Sequence, residues 1–278
     1  MHLLFSWCAV MLLAARATAG DAVSYVVLND SPVNSLVRIS ADSQTVTTIA
    51  HGAGGLGLAV DSKGDYIVAA VSKLLRVTPS GAVNIIANTP SGSAWISVTT
   101  ETSGNFLVVD NQRHALWRVT ADGAIVERIS FYPARPDELD SAKIIPDGAG
   151  GYLLSNENHG GHLFRVNDAG FAAEIPLRGF PRPGGGQIIL DGAGKYLVSS
   201  RPSEIFRVAP NGAAELFAKL PGANACGLAR NPDTGEIVVT LNFARVLVRV
   251  SPDGKRVETI VSDPRYLLYP VDVIAEKR

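Results

Sequence analysis

The sequence has 278 residues, of which 46% are hydrophobic, and its formal net charge is −1 at pH 7. This near balance of charge, without a basic stripe, excludes a nucleic-acid backbone as an expected partner. The hydrophobic residues are largely Val, Ile and Leu, and they are interrupted by 27 glycines and 16 prolines. Such a composition favours one domain made of many short strands and turns.

The first nineteen residues predict an export signal. Residues 3–15 are apolar apart from Ser6, and Ala17 and Ala19 supply the small residues that signal peptidase requires. A membrane anchor is the alternative, but the apolar run is shorter than a typical spanning helix. We therefore expect residues 1–19 to be removed and residues 20–278 to form a secreted or periplasmic protein that no longer contacts the membrane. Cys226 is then the only cysteine, so no intrachain disulfide is expected.

A sixfold repeat dominates the rest of the chain. Each copy contains two hydrophobic residues, an arginine and a further hydrophobic residue, and the arginines are Arg38, Arg76, Arg118, Arg165, Arg207 and Arg249. They are separated by 38, 42, 47, 42 and 42 residues. A period near 40 residues with several short strands in each period predicts a propeller.

The second copy shows the strands most clearly. Its apolar runs predict strands over 57–60, 66–69, 73–78 and 83–86, separated by turns that contain Gly, Asp or Asn. The first copy lacks an inner strand, whereas 270–274 reads as an inner strand with nothing after it. We therefore predict an all-β fold, a six-bladed β-propeller of four-stranded antiparallel blades, in which the C-terminal strand pairs beside 25–28 and closes the ring in the first blade.

The repeated arginines favour a structural role. Alternation along a strand places each arginine on the opposite sheet face from its neighbours in sequence, between two blades. We expect their guanidinium groups to bond carbonyls or carboxylates of an adjacent blade.

Residues that break the repeat are the candidates for a binding site. Loops from the second to the third strand share one face of a propeller with the connections between blades, and ligands usually bind there. The candidates on the first kind of loop are Asp110, His114, Asn156, Glu157, His159, His162 and Arg201. Two long connections, over 131–140 and 178–186, lie on the same face and flank the fourth blade.

The fourth copy has the longest and most polar of these loops. Glu157, His159 and His162 could hold a divalent metal such as Ca, Mg or Zn. A polar loop with histidines that face water explains the same residues, because no tight metal-binding spacing is met.

The first residues of the inner strands form a second ring of candidates. They are Gly57, Ser97, Lys143, Gln187, Gly227 and Asp272. Lys143 and Asp272 stand out because the other positions are apolar, glycine or uncharged. Lys143 could act as a base or an electrostatic clamp, or the two residues could form an ion pair or line a water-filled channel. The sequence leaves these alternatives open.

Segments such as 57–68 and 106–111 resemble NHL repeats and the wider group of gluconolactonase/regucalcin-like and streptogramin-lyase-like six-bladed propellers. The resemblance covers nearly all of the chain after residue 19, and it implies the fold rather than an activity. Gluconolactonase-like members bind a divalent cation through Glu, Asn and Asp, and Asn156 and Asp110 are residues of the right kinds. Streptogramin lyases use a His and Glu pair late in the chain, whereas the last histidine here is His162.

The sequence thus predicts an exported, monomeric propeller that binds a small molecule, glycan or peptide on one face. The alternative is a metal-dependent hydrolase of the lactonase type, or a lyase, that uses the polar cluster of the fourth copy. Metal content after purification without a chelator would separate the two hypotheses.

Overall fold

The fold is taken from a computed structural model that describes residues 22–130, 143–156, 162–169, 171–180, 185–192, 194–200, 203–222 and 224–277. The predicted signal, residues 1–19, lies outside these ranges. The described residues form 24 β-strands, and they contain no helix with the length and apolar character needed to cross a membrane.

The strands follow one another in groups that repeat along the chain. The first eleven are β1 (Val23–Asn29), β2 (Ser35–Ile39), β3 (Val46–His51), β4 (Gly57–Val60), β5 (Tyr66–Ala69), β6 (Lys73–Val77), β7 (Val83–Asn88), β8 (Trp95–Thr100), β9 (Phe106–Asp110), β10 (Ala115–Val119) and β11 (Ile125–Ser130). The next thirteen are β12 (Lys143–Pro146), β13 (Tyr152–Asn156), β14 (His162–Val166), β15 (Ala172–Glu174), β16 (Gly185–Gly192), β17 (Lys195–Ser200), β18 (Glu204–Val208), β19 (Ala214–Lys219), β20 (Ala225–Arg230), β21 (Ile237–Leu241), β22 (Val246–Val250), β23 (Val257–Val261) and β24 (Pro270–Lys277).

These strands form six antiparallel sheets of four strands, so the predicted six-bladed propeller is confirmed. Blade 1 consists of β24, β1, β2 and β3, and blades 2 to 6 each take four consecutive strands from β4 onwards. β24 pairs with β1 from Val23 opposite Lys277 to Leu28 opposite Asp272. The C-terminal strand therefore closes the ring in the first blade, as predicted.

The six inner strands form a closed ring around the axis. Each of β24, β4, β8, β12, β16 and β20 contacts the inner strand of both neighbouring blades. In this order β24 of blade 1 and β12 of blade 4 lie opposite each other. The axis is therefore the one place where residues of distant blades can meet.

Alternation along the strands builds the core between blades. In β9, Phe106 and Val108 pack in a cluster with Ile67 of blade 2, whereas Leu107 and Val109 pack with Ile144 of blade 4. All five residues of β9 are buried. A strand with both faces covered reads as a continuous apolar run, which is why the second strands were easy to recognise in the sequence.

The repeated arginines lie between blades, as expected from the alternation of side chains between the two faces of a strand. Arg118 Nε donates to Glu101 Oε1 at 3.0 Å, and the Tyr152 hydroxyl of the next blade donates to the same carboxylate oxygen at 3.0 Å. The expectation that these arginines bond carbonyls or carboxylates of an adjacent blade is wrong for Arg118. The acid belongs to the arginine's own blade, and the neighbouring blade supplies the tyrosine.

Other blade junctions vary this arrangement. Between blades 1 and 2, Arg38 bonds Glu276 of β24 at 2.8 Å, and the Tyr66 hydroxyl donates to the same carboxylate at 2.8 Å. Between blades 2 and 3, Arg76 Nη2 donates to the Ala121 carbonyl of blade 3 at 3.0 Å, as expected, and the guanidinium lies 5.9 Å from the centroid of the Phe106 ring. The remaining arginines have an acid of their own blade nearby, as the ion pairs Arg165–Asp147, Arg207–Asp191 and Arg249–Glu236 show. Arg76 also pairs with Asp61 of its own blade, and Arg165 Nη2 donates to the Tyr196 hydroxyl of blade 5 at 2.7 Å. Four junctions thus combine an ion pair within a blade with contact to the next blade.

Burial and then the hydrogen bond to Glu101 raise the pKa of Tyr152, so its phenol stays neutral and keeps donating throughout the physiological range. Removing Arg118 leaves the buried Glu101 carboxylate with fewer donors. We expect Arg118→Ala to lower the free energy of unfolding by about 1–3 kcal/mol, measured by urea denaturation. In a double-mutant cycle with Tyr152→Phe, the two losses should not be additive.

Arg265→Ala is the matched control, because Arg265 pairs with Asp263 while its side chain is 81% exposed. Its midpoint of denaturation should match that of the unaltered protein. A loss in Arg118→Ala no larger than in this control would contradict the structural role of the repeat.

Candidate functional site

One face of the propeller gathers the residues that break the repeat. The inner strands begin on this face and the second strands end there, as the register pairs Lys143 with Ser155 and Pro270 with Asn29 show. We call this the upper face, and the face where the inner strands end is the lower face. The loops from second to third strands and the connections between blades lie on the upper face.

The predicted ring of residues lies at one register level of the inner strands, and its members approach one another closely. Gly57 and Lys143 begin their strands, whereas Ser97, Gln187, Gly227 and Asp272 are each the third residue of theirs. A Cβ atom added to Gly57 would lie 2.6 Å from Ser97 Cα, and one added to Gly227 would lie 2.8 Å from Asp272 Cα. Because both distances are too short for a real contact, glycine is required at these two junctions. This ring is therefore a tight mouth at the axis.

Side chains of this ring also join adjacent blades. Ser97 Oγ accepts a hydrogen bond from the Ile144 amide of blade 4 at 3.2 Å. At the equivalent place, Asp272 Oδ2 accepts one from the Leu58 amide of blade 2 at 2.9 Å. Asp272 thus stands where serine stands in blade 3, and it makes the same bond to the next blade.

Lys143 and Asp272 form an ion pair across the axis. The Lys143 ammonium donates to Asp272 Oδ2, which joins β12 of blade 4 to β24 of the opposite blade. The two side chains are 10% and 2% exposed, so the pair is almost withdrawn from water. Of the alternatives left open by the sequence, the ion pair is the one that the structure contains.

Asp110 caps a loop. Its Oδ1 atom accepts hydrogen bonds from the amides of Ala94, Gln112 and Arg113 at 3.0–3.1 Å, and its Oδ2 atom accepts one from the Trp117 indole at 2.8 Å. Burial would raise the pKa of Asp110, but the hydrogen bonds that its carboxylate accepts outweigh this effect and hold the pKa below its usual value. Both oxygens therefore bond donors of the protein itself, and the role of Asp110 as a cation ligand stays a prediction.

The other described candidates lie at different distances from the axis on the upper face. Asn156 is buried at the end of β13, beside Lys143, and the half-buried Gln187 lies in the inner strand of the next blade. His114 precedes β10 with a positive φ of 47°, and its Nδ1 atom is buried without a hydrogen-bond partner among the described residues. The structure therefore brings Lys143, Asn156 and Gln187 to adjacent positions.

His162 lies apart from this group. Its Nδ1 atom is 2.8 Å from Glu174 Oε1 of the outermost strand, and its ring stacks on Phe164 at 5.9 Å. It lies on β14, and β13 separates it from Lys143 on β12. Within the described part of the chain it therefore belongs to the outer part of the blade.

Three candidates, Glu157, His159 and Arg201, lie outside the described residues, as do residues 131–142 and 181–184 of the two long connections. Among the described residues, no group of three or more His, Cys, Asp or Glu side chains could hold a metal ion. The metal hypothesis depends on Glu157 and His159, and it stays a prediction.

Two aromatic residues of the upper face did not stand out in the sequence. Phe243 in the loop after β21 is 68% exposed, and Tyr269, just before β24, is 39% exposed. The sequence shows only that each aromatic residue lies in a predicted loop. It does not show that the side chain is exposed, because exposure depends on where the folded loop lies.

No protein-family model matches the chain, and no curated protein sequence matches it. Several solved structures do resemble it. A chain of the nidogen/laminin complex has a TM-score of 0.74 at 9% identity, over 91% of this chain and 98% of that one. A protein of unknown function from Bacteroides caccae has a TM-score of 0.68 at 13% identity, over 93% and 99%.

A catalytically inactive virginiamycin B lyase from Staphylococcus aureus, solved with quinupristin, has a TM-score of 0.62 at 18% identity, over 91% of this chain and 86% of that one. At such identities the likeness extends to the fold alone. The chain is a six-bladed propeller similar to these proteins, which confirms the expected architecture.

The geometry of Asp110 predicts a pH-dependent contribution to stability. Because its pKa is lowered in the folded protein, this contribution is present above the unfolded pKa, near 3.8, and is lost as the pH falls through the lower folded value. We expect Asp110→Asn to lower the free energy of unfolding by about 1–3 kcal/mol at pH 7, since an amide N–H₂ would face an N–H donor. The difference from the unaltered protein should shrink below pH 3.8.

Urea denaturation between pH 3 and pH 7 measures this dependence. Asp168→Asn, at an exposed position of the lower-face turn between β14 and β15, is the control and should leave the midpoint unchanged. An equal stability of the Asp110→Asn variant and the unaltered protein at pH 7 would show that the cap is unimportant.

Proposed function

We propose that this protein is an exported propeller that binds a small polar ligand, whether a small molecule, a glycan or a peptide, at the mouth of its axis on the upper face. The Lys143–Asp272 ion pair forms the floor of this site. The buried pair is the observation that carries the proposal, and the predicted signal in residues 1–19 supports export.

The bond between adjacent blades at the axis does not require the charged groups of the ion pair. Ser97 makes the same bond to the next blade as Asp272, so a hydroxyl suffices for that structural task. The equivalents of Lys143 in the other blades are glycine, serine, glutamine and Asp272 itself. Burying two charges is costly even when they are paired. A costly feature that occurs once in a repeat supports a role in binding, whereas structural features recur.

The pair also has the chemistry to bind a ligand. An ammonium group has three N–H donors, and Asp272 accepts one of them from Lys143. The remaining donors suit a carbonyl, ether or hydroxyl oxygen of a ligand. Because Asp272 balances the charge of Lys143, the floor suits a polar ligand without requiring an anion. The metal-dependent hydrolase or lyase hypothesis remains with Glu157 and His159, and no described residue favours it over binding.

The test is a thermal-shift screen against sugars, lactones, short peptides and divalent metals, followed by calorimetry on the compounds that raise the melting temperature. Lys143→Met alone would leave Asp272 buried and unpaired, so the variant to use is Lys143→Met with Asp272→Asn. The asparagine keeps an oxygen for the Leu58 amide. We expect this double variant to fold and to bind at least tenfold more weakly, a loss of about 1.4 kcal/mol or more.

Lys63→Met is the matched control, because Lys63 is an exposed lysine in a lower-face turn. It should bind as the unaltered protein does. Equal affinity of the double variant and the control, or no stabilising compound in the whole screen, would contradict the proposed function.

A further inference from the structure

Two exposed aromatic side chains lie on the upper face where blade 6 meets blade 1. Phe243 follows β21 and Tyr269 precedes β24, and these two strands are in contact. Asn242 Nδ2 donates to the Pro270 carbonyl at 3.2 Å, which ties the residue beside Phe243 to the residue beside Tyr269. One side-chain hydrogen bond thus holds the two aromatic residues in the same sector of the face.

Both residues are on well-fixed backbone. The Phe243 loop is closed by a bond from the Arg245 amide to the Asn242 carbonyl at 3.1 Å, and Asn242 is 2% exposed. The Tyr269 carbonyl accepts from the Asp30 amide at 3.1 Å. Two residues earlier, Leu267 is fully buried in the core between blades 6 and 1. The aromatic side chains are therefore displayed by anchored loops, which lowers the entropy that a ligand must overcome.

The surrounding charges cancel. On the described upper-face connections of blades 6 and 1, together with the ion pair at the axis, three acids face three bases, namely Asp30, Asp263, Asp272, Lys143, Arg245 and Arg265. Arg265 Nη2 lies 2.6 Å from Asp263 Oδ2, and Lys143 is paired with Asp272. This sector therefore favours neither an anionic nor a cationic ligand.

An aromatic ring on an open surface offers one flat apolar face beside water. It suits a ligand that is apolar on one side and hydrophilic around its edge, whereas a purely apolar side chain needs an enclosing pocket to lose its contact with water. A pyranose ring has this shape, since its C–H bonds form the apolar side and its hydroxyls surround the edge. The oxygens of such a ring are also of the kind that can accept a hydrogen bond from the Lys143 ammonium.

We propose that the ligand is a neutral oligosaccharide, with one sugar ring stacked on Phe243 and Tyr269 and another reaching the Lys143–Asp272 floor. This inference rests on the proposed function and narrows it to one class of ligand. Tyr269 is three residues from Asp272 along the same segment, so one chain of sugars can contact both places.

Binding of neutral hexasaccharides of β-1,4-linked glucose, β-1,4-linked N-acetylglucosamine, β-1,4-linked mannose and α-1,4-linked glucose tests the inference. Calorimetry gives the affinity, and saturation-transfer NMR shows which sugar protons touch the protein. We expect at least one hexasaccharide to bind, with the strongest saturation on ring C–H protons. Phe243→Ala and Tyr269→Ala should each weaken binding by about tenfold.

Phe171→Ala is the control, because Phe171 is 58% exposed but lies in the turn between the third and fourth strands of blade 4, on the lower face. It should change the affinity less than twofold. The inference is overturned if no hexasaccharide binds, or if Phe243→Ala and Tyr269→Ala bind as tightly as Phe171→Ala.

The same experiments separate this inference from the proposed function. If no sugar binds but a peptide or lactone binds through Lys143 and Asp272, the choice of sugar is wrong and the proposed function stands. If sugars bind through Phe243 and Tyr269 while the Lys143→Met, Asp272→Asn double variant binds normally, the aromatic contact is supported and the proposed floor is wrong. If sugars bind and none of these variants is weakened, both proposals fail.

Discussion

The structure depends on the pairing of the last strand with the first. A ring of blades whose sheets are otherwise built from consecutive strands must be closed once, and β24 closes it by pairing with β1 along its length. The same strand bonds Arg38 through Glu276 toward the lower face and Lys143 through Asp272 at the upper face. Closure of the ring therefore places the floor of the proposed site, and any change that loosens β24 acts on both.

The polar residues discussed above are of two kinds, those that recur in every blade and those that occur once. The arginines recur at every blade junction and bind acids of their own blade, while tyrosine or phenylalanine of the next blade completes four of the junctions. The Lys143–Asp272 pair occurs at one level of the axis and spans opposite blades. The recurring groups support the fold, whereas the pair and the exposed aromatic residues of the upper face are the basis of the proposed ligand recognition.

Much of the fold was accessible from the sequence because it depends on local periodicity. The predicted strands over 57–60 and 66–69 have the observed bounds, and the missing strand at one end matched the orphan strand at the other. The ion pair was harder, since Lys143 and Asp272 are 129 residues apart and meet only when the ring closes. Asp110 had the residue type of a ligand group but is occupied by N–H donors, which depend on how its loop folds back.

Hydrogen–deuterium exchange with and without the tightest-binding compound tests the central claim that the non-repeating upper face is the binding surface. The account predicts slower exchange around Lys143 and Asp272 and in residues 242–245, with no change in the lower-face turns over 61–65, 101–105 and 251–256. Protection confined to those lower-face turns, with exchange near Lys143 and Asp272 unaltered, would contradict it.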